Sequence, residues 1–531
     1  MRRTIATVSV SGTLTEKLAA IAAAGFDGVE LFEADLLGCP LPPEEIRLRA
    51  ADLGLSIDLY QPFRDFEAMP SLDLRRAEGK FRVMERLGAD LLLVCSNVSP
   101  EAIDDDDLAA EQLRLLAERA ASHGVRIAYE ALAWGRHVNE YLHAWRIVRL
   151  ADHPGLGVCL DSFHILSRGS DPIGIEAIPG EKIFFLQLAD APLLAMDVLQ
   201  WSRHYRCFPG QGHFDLAGLV GHVLNAGYRG PLSLEVFNDH FRQADAVRTA
   251  RDGMRSLIAL DVRPPSIPTG FAFAELTDDG RLEGMLAALG FARTGPRLWE
   301  QGRASLLLNA GEDPELTSIG LDSPDPAAAA KHAELLLAET APDGLKIVFC
   351  GTAEPVPGAI TRIDHIALTE PVHHFDEAAL FYREVLGLVP QESLDVPDPY
   401  GLLRSRAMCG PDGGVRMVLN LAPGTIRWQH VALACDDVLG VARRLRDEHP
   451  ELLLPIPGNY YDDLEARHNV DPALRELGVL YDRDEDGEFL HLYTVTVGRV
   501  FFEIVQRVGG YRGYGAVNAP VRLAVQHLSR H

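Results

Sequence analysis

VRIAYEALAWGRHVNEYLHAWRIVRLADHPGLGVCLDSFHILSRGSDPIGIEAIPGEKIFFLQLAD (residues 125–190) holds three short apolar runs, VRIAYE (125–130), LGVCLDS (156–162) and IFFLQLAD (183–190), joined by longer segments. The same alternation extends both ways. TIATV (4–8), GVELF (28–32), LSIDLY (55–60) and DLLLVCS (90–96) precede the stretch, and LSLEVF (232–237) follows it. LTEKLAAIAAAGF, LRRAEGKFRVMERLGA and DLAAEQLRLLAERAASHG lie between these runs. Their apolar residues recur every three or four positions, and each has a glycine near its end, the signature of helices with defined stops. Eight strands with intervening helices predict a closed (β/α)8 TIM barrel, an α/β fold. A doubly wound open sheet would carry GxGxxG after its first strand, and none follows TIATV.

The chain's 531 residues exceed one ordinary hydrophobic core, so at least two domains are expected. With 47% apolar and 24% charged residues it reads as a soluble globular protein. A net charge of -26, with no Arg cluster free of nearby acids, argues against a nucleic-acid partner. No apolar run is long enough to span a bilayer, and MRRTIATVSVSGTLTEK does not read as a signal peptide. A cytoplasmic location without a membrane partner is expected. The seven cysteines show no CxxC pairs, and most are expected to be reduced core or near-core residues.

Catalytic groups of such barrels sit at the C-terminal ends of strands. Glu130, Asp161, Gln187 and Glu235 hold those places on the fifth to eighth expected strands. Three carboxylates and an amide oxygen form a hard ligand set suited to Mg²⁺ or Mn²⁺. His164, three residues after Asp161 in DSFH, is placed to carry a proton. HYRCFPGQGHFD (204–215) has no period and is read as a loop supplying His204 and Arg206. Arg206 is the first candidate for orienting a carboxylate or enolate oxygen, and Arg64 in YQPFRDFE is the second. Glu30 and Asp58 are read as supporting residues.

GFDGVELFE, IAYEALAWGRHVN, CLDSFH, FLQLAD, RCFPGQG and LSLEVFND resemble the xylose isomerase-like barrel superfamily. Their combination, over residues 1 to about 260, is similar to the bacterial 3-dehydroshikimate dehydratases. That resemblance implies a divalent metal (Mg, Mn or Co) on Glu130, Asp161, Gln187 and Glu235, with His164 and Arg206 beside the substrate; Arg64 stays a further anion-anchor candidate from its own position. It also implies 3-dehydroshikimate as the small-molecule substrate and protocatechuate as product. An isomerase or epimerase of a free sugar could use almost the same cage, though the Arg-bearing loops favour a carboxylated substrate.

DVRPPSIPTG (261–270) interrupts all periodicity and marks a linker. Beyond it, GFAFAELT with the helix ending in LGF, and ITRIDHIALT with the helix ending in LGL, open related modules. Duplicated βαβββ units forming a cup are expected, a first degenerate module over 271–355 and metal-bearing modules over 356–531. His365 in IDHIAL, His430 in WQHVAL and Glu503 in FFEIVQ make a two-histidine, one-carboxylate set. DHIALT, LFYREVLGL, QHVALACDD and VFFEIVQRVGGYRGYGAVN resemble 4-hydroxyphenylpyruvate dioxygenase and the vicinal-oxygen-chelate superfamily. This implies a second divalent metal, Mg or Fe, on those three residues. The short LNLAPGTIRWQH and the terminal GYGAVNAPVRLAVQHL depart from the dioxygenase pattern, so metal binding without hydroxyphenylpyruvate turnover is expected. An Fe(II) dioxygenase, alone or as a second activity, is the alternative reading, and a homo-oligomer, a dimer before a tetramer, is anticipated.

Overall fold

The eight apolar runs form β1 (Arg3–Ala6), β2 (Gly28–Phe32), β3 (Ser56–Phe63), β4 (Leu91–Cys95), β5 (Arg126–Glu130), β6 (Leu156–Asp161), β7 (Ile183–Leu188) and β8 (Leu232–Leu234). All pair in parallel in chain order, and β8 returns to β1 to close the barrel. The computed structural model describes residues 1–338, 340–351, 354–372, 374–421 and 428–528. It divides into two units, Met1–Val262 and Arg263–His531, with the boundary inside the Pro-rich segment.

Helix composition explains the outer ring. Arg75–Leu87 buries Ala77, Phe81, Met84 and Leu87 on one stripe, and Gly88 ends it at φ 70°, a conformation costly for other residues. Burying Phe81 alone contributes about 1.5–3 kcal/mol. Residues 241–259 do not form one continuous helix: a short 3-10 turn covers Phe241–Gln243 and the helix proper is Ala246–Ala259. The break lies at Asp245, whose side chain accepts from the Arg248 N–H (2.8 Å) and starts the helix afresh.

Strand alternation fixes the depth of the polar groups. Leu93, Cys95, Ala128, Cys159 and Phe185 form one interior apolar cluster. Two residues further along β5, β6 and β7 come Glu130, Asp161 and Gln187, so period two carries them into the same interior at the catalytic end. The register aligns them, Glu130 opposite Cys159 and Asp161 opposite Gln187. Asp58 lies elsewhere. It pairs with Arg2 (2.8 and 3.0 Å) and accepts from Ser56 (2.8 Å), ahead of the polar layer in β3.

The second unit has two sheets. The six-stranded one runs Ala292–Arg293, Leu298–Gln301, Ala304–Ala310, Gly270–Asp278, Leu316–Asp322, Lys346–Cys350. The eight-stranded one runs Val389–Asp398, Gly401–Cys409, Arg416–Leu421, Ile360–Glu370, Gln429–Cys435, Val500–Gly509, Gly487–Tyr493, Leu480–Arg483. Among the described residues three βαβββ repeats are complete. The one beginning at Leu316 stops at strand, helix Pro326–Leu335 and strand Lys346–Cys350. The ten residues between that helix and its last strand leave no length for a further hairpin. Residues 422–427 of the short LNLAPGTIRWQH stretch lie outside the described residues, as do 352 and 353 at the expected seam. Among the described residues, no helix is long and apolar enough to cross a membrane.

Candidate metal centres

At the barrel mouth Glu130 ends β5, Asp161 ends β6, Gln187 lies in β7 and Glu235 follows β8; all four are buried. Asp161 also starts the short helix Ser162–Leu166, its Oδ1 accepting from the Phe163 N–H (2.7 Å). That turn swings His164 back over the cluster. Its Nε2 stands 3.5 Å from Asp161 Oδ2 and 3.9 Å from Glu130 Oε1. One ligand atom each from Glu130, Asp161 and His164 lies within 4.8 Å of the others.

Arg206 is fully buried and committed. Its Nη1 donates to Asp161 Oδ2 (2.7 Å) and Glu235 Oε2 (3.1 Å), while Nε and Nη2 donate to Ser202 Oγ (3.1 and 2.9 Å). The guanidinium lies 4.6 Å from the Phe163 ring centroid and 5.5 Å from that of Phe237. Gln187 is turned by a buried acid: its Nε2 donates to Glu30 Oε2 (2.6 Å) and its Oε1 accepts from Cys159 Sγ (3.2 Å). Gln61 (2.9 Å) and Ser233 also donate to Glu30. Glu30 is thus a supporting residue with three donors.

Charge at the mouth is unbalanced. Burial, with Glu235 and Asp161 adding repulsion, pushes Glu130 well above the ordinary carboxylate range. Burial likewise raises Glu235, with Arg206 opposing. Burial raises Asp161 too, but Arg206 and His164 outweigh it and hold it low. Burial drives His164 down to about 3 despite Asp161, so the ring is neutral. Glu130 Oε1 is buried with no hydrogen-bond partner. Three carboxylates against one guanidinium, with an orphan oxygen, fit a hard divalent cation.

The other expected residues divide. Arg64 is half-buried after β3, near enough to act electrostatically on His164 and Glu235. His204 ends helix Val198–His204 and pairs with Asp239 (2.8 Å) on the surface, outside the cluster. The aperiodic segment from 204 onward reads as loop, whereas the preceding turn is helical and brings Ser202 and Arg203, which the sequence does not single out, beside it.

In the second unit His365, His430 and Glu503 converge as the strand pairing requires, because Gln429–Cys435 lies between Ile360–Glu370 and Val500–Gly509. His365 Nε2 is 3.1 Å from His430 Nε2 and 3.1 Å from Glu503 Oε2, and His430 Nε2 is 3.4 Å from Glu503 Oε2. Donors each about 2.1 Å from one ion stand roughly 3.0–3.4 Å apart, so the triangle fits a single divalent cation. Two partners absent from the sequence reading hold it. Asp364 takes His365 Nδ1 (3.0 Å) and is itself gripped by Arg507 (2.8 Å). Asn518 faces His491 Nε2 (2.9 Å), so His491 Nδ1–H donates to Glu503 Oε1 (2.6 Å). Burial lowers His430 to about 4; burial also lowers His365, but Asp364 and Glu503 outweigh it and leave it raised.

Residues 18–260 match the family of xylose isomerase-like TIM barrels, and residues 362–491 match the glyoxalase/bleomycin resistance protein/dioxygenase superfamily. The 3-dehydroshikimate dehydratase of Pseudomonas putida is 45% identical over an alignment 628 positions long, covering 100% of this chain and 99% of its own. That of Pseudomonas aeruginosa is 44% identical, with 100% and 99% covered. A solved xylose isomerase-like TIM barrel/4-hydroxyphenylpyruvate dioxygenase fusion protein is similar at a TM-score of 0.90 and 43% identity, covering 100% of both chains. A likeness that runs through both units reflects common descent and not fold alone, and the chain belongs to the bacterial 3-dehydroshikimate dehydratase family.

Proposed function

We propose that this chain is a metal-dependent carbon–oxygen lyase that dehydrates 3-dehydroshikimate to protocatechuate (3,4-dihydroxybenzoate), in quinate and shikimate catabolism. The observation that carries the reading is the buried acidic cluster of Glu130, Asp161 and His164 in a chain alike over its full length to the Pseudomonas dehydratases. Glu130, Asp161, Gln187 and Glu235 would hold Mg²⁺, Mn²⁺ or Co²⁺. A divalent cation bound there supplies positive charge to the oxygen of an enolate.

His164 is the proton carrier. The Ala133 N–H lies 3.2 Å from its Nδ1 and Arg206 Nη2 lies 3.3 Å from its Nε2. A neutral imidazole offers one acceptor, so only one of these contacts is a hydrogen bond at a time. With the lone pair on Nε2, the ring takes the proton next to the ketone. Asp161 and Glu130 then stabilise the imidazolium, which returns that proton to the departing β-hydroxyl. One C–H and one C–O bond break, water leaves, and tautomerisation gives the aromatic ring without net oxidation. Trp134, 5.0 Å edge-on to His164, helps keep water from the imidazole. Arg206 holds Asp161 and Glu235 together as the cluster's fixed cation, and Arg64 faces the mouth.

The test is anaerobic incubation of metal-loaded protein with 3-dehydroshikimate, following aromatic ultraviolet absorbance. Product without oxygen, lost in chelator and in His164→Ala, is expected. A requirement for oxygen, Fe(II) and an arylpyruvate would instead assign the chemistry to the second unit. There His365, His430 and Glu503 would hold Mg²⁺ or Fe²⁺.

A further inference from the structure

We propose that Arg203, with Arg64, receives the substrate carboxylate and so selects an anionic cyclic hydroxyketone over a neutral one. The assignment rests on the dehydratase reading and refines it. Three arginines gather at the mouth, and their hydrogen bonding separates them. Arg206 spends its guanidinium on Asp161, Glu235 and Ser202. Its place as fixed cation is therefore filled, and a substrate carboxylate would have to compete with two buried protein carboxylates for it.

Arg203 is the opposite case. It sits one turn earlier, near the end of helix Val198–His204, half-buried, with its guanidinium 5.6 Å from the Phe237 ring centroid. Phe237 is the ring that Arg206 also faces, which places the two forks beside one another. Among the described residues Arg203 has neither a hydrogen-bond nor an ion-pair partner, and the Arg64 guanidinium has none either. Burial and the charges of Arg64 and Arg206 all disfavour the Arg203 cation. Two unpaired guanidinium forks that repel each other beside an acidic metal cluster make an incomplete arrangement. A planar carboxylate completes it, one oxygen to each fork, and relieves the repulsion. Dehydroshikimate offers a carboxylate and a ketone at separate ring positions, so the forks and the metal cluster can be engaged together. A neutral keto-sugar offers only the second contact. Specificity then comes from leaving the forks unpaired when the wrong ligand binds.

The probes are protocatechuate and catechol, alike except for the carboxylate, titrated into metal-loaded wild type, Arg203→Met and Arg203→Lys, alongside steady-state kinetics. In Arg203→Met, protocatechuate affinity is expected to fall about 30- to 100-fold, the loss of one charge-assisted contact, with catechol binding unaltered. KM for dehydroshikimate rises by more than kcat falls, Arg203→Lys recovers part of the loss, and metal content stays at the wild-type level. An unchanged protocatechuate-to-catechol ratio, or equal loss for both, overturns the assignment. If wild type turns over and that ratio is unchanged, the dehydratase reading stands and only Arg203 falls. If wild type forms no product, both fall.

Discussion

Glu130 and Glu67 are both buried acids, and their surroundings give them opposite consequences. Glu130 has an orphan oxygen and two acidic neighbours, so without a cation it is a liability. Glu130→Gln keeps the shape and removes the charge. Metal affinity at the barrel should fall at least about 100-fold, since even changes behind a ligand cost about 10–100-fold. Dehydration should fall with it, while Tm in chelator rises; a fall in that metal-free Tm would contradict the charge argument. Glu67, on the loop after β3 that carries Arg64, also has one buried oxygen without a partner, but its Oε1 accepts from both the Asn97 N–H (2.6 Å) and Tyr129 OH (3.0 Å). Burial raises its pKa to about 7. The folded state therefore keeps a proton that the unfolded chain releases from about pH 4.5 upward, and stability is lost as pH rises from there to about 7. Glu67→Gln retains the acceptor without the titration. It should be neutral near pH 4.5 and stabilising at pH 8 by up to about 3 kcal/mol, read as a pH-dependent Tm difference. A Tm offset constant across that range would place the effect elsewhere.

The two-turn helix Val198–His204 has an outsized task, since it presents both Ser202, which holds Arg206, and Arg203. Asp197 caps it, accepting from the Leu199 and Gln200 N–H groups (3.1 and 3.2 Å). Asp105 caps the longer Asp106–Ala121 in the same manner, through the Leu108 N–H (3.0 Å). Each Asp→Ala change should cost about 1 kcal/mol, or about 2–4 °C in Tm. Only Asp197→Ala should also raise KM, because only that helix carries mouth residues; parallel KM changes in both variants would refute this. The contrast shows what the chain's linear pattern reveals. Glu130, Asp161 and Gln187 were legible because period two extends the apolar rows ending at Ala128, Cys159 and Phe185 by one step. Arg203 was not, because seven residues of helix give too little period to separate helix from loop. The shortened repeat at Leu316–Cys350 escaped for a related reason: its helix matches the repeat, and loss of a hairpin leaves no positive signal. Asp364 and His491 stand only one and twelve residues from the ligands they hold, yet a linear pattern does not mark them, because the groups that fix them, Arg507 and Asn518, are brought in by the fold from 143 and 27 residues away.

At the scale of the molecule, each unit holds one of the two ligand clusters, and every group assigned to dehydration lies within Met1–Val262. The second cluster is built differently. Asp364 and Arg507 fix the tautomer of His365, and His491 takes one oxygen of Glu503, so the remaining donors already stand at ion-binding separations. Such a preset site should bind its metal without help from the barrel. Native protein is therefore expected to carry two metal equivalents per chain, one for each cluster. His430→Ala should leave one and keep dehydration within about twofold of wild type, because that site supplies no group to the reaction. Glu130→Gln should leave the other one and lose turnover. Asp364→Asn should weaken the second site about 10–100-fold in chelator competition without changing the dehydration rate, the signature of a residue acting through a ligand. Metal analysis and turnover on the same preparations decide the matter. Dehydration that declines in step with metal lost from His430→Ala would mean that the second ion supports the barrel's chemistry, and the independence argued from the placement of residues would fail.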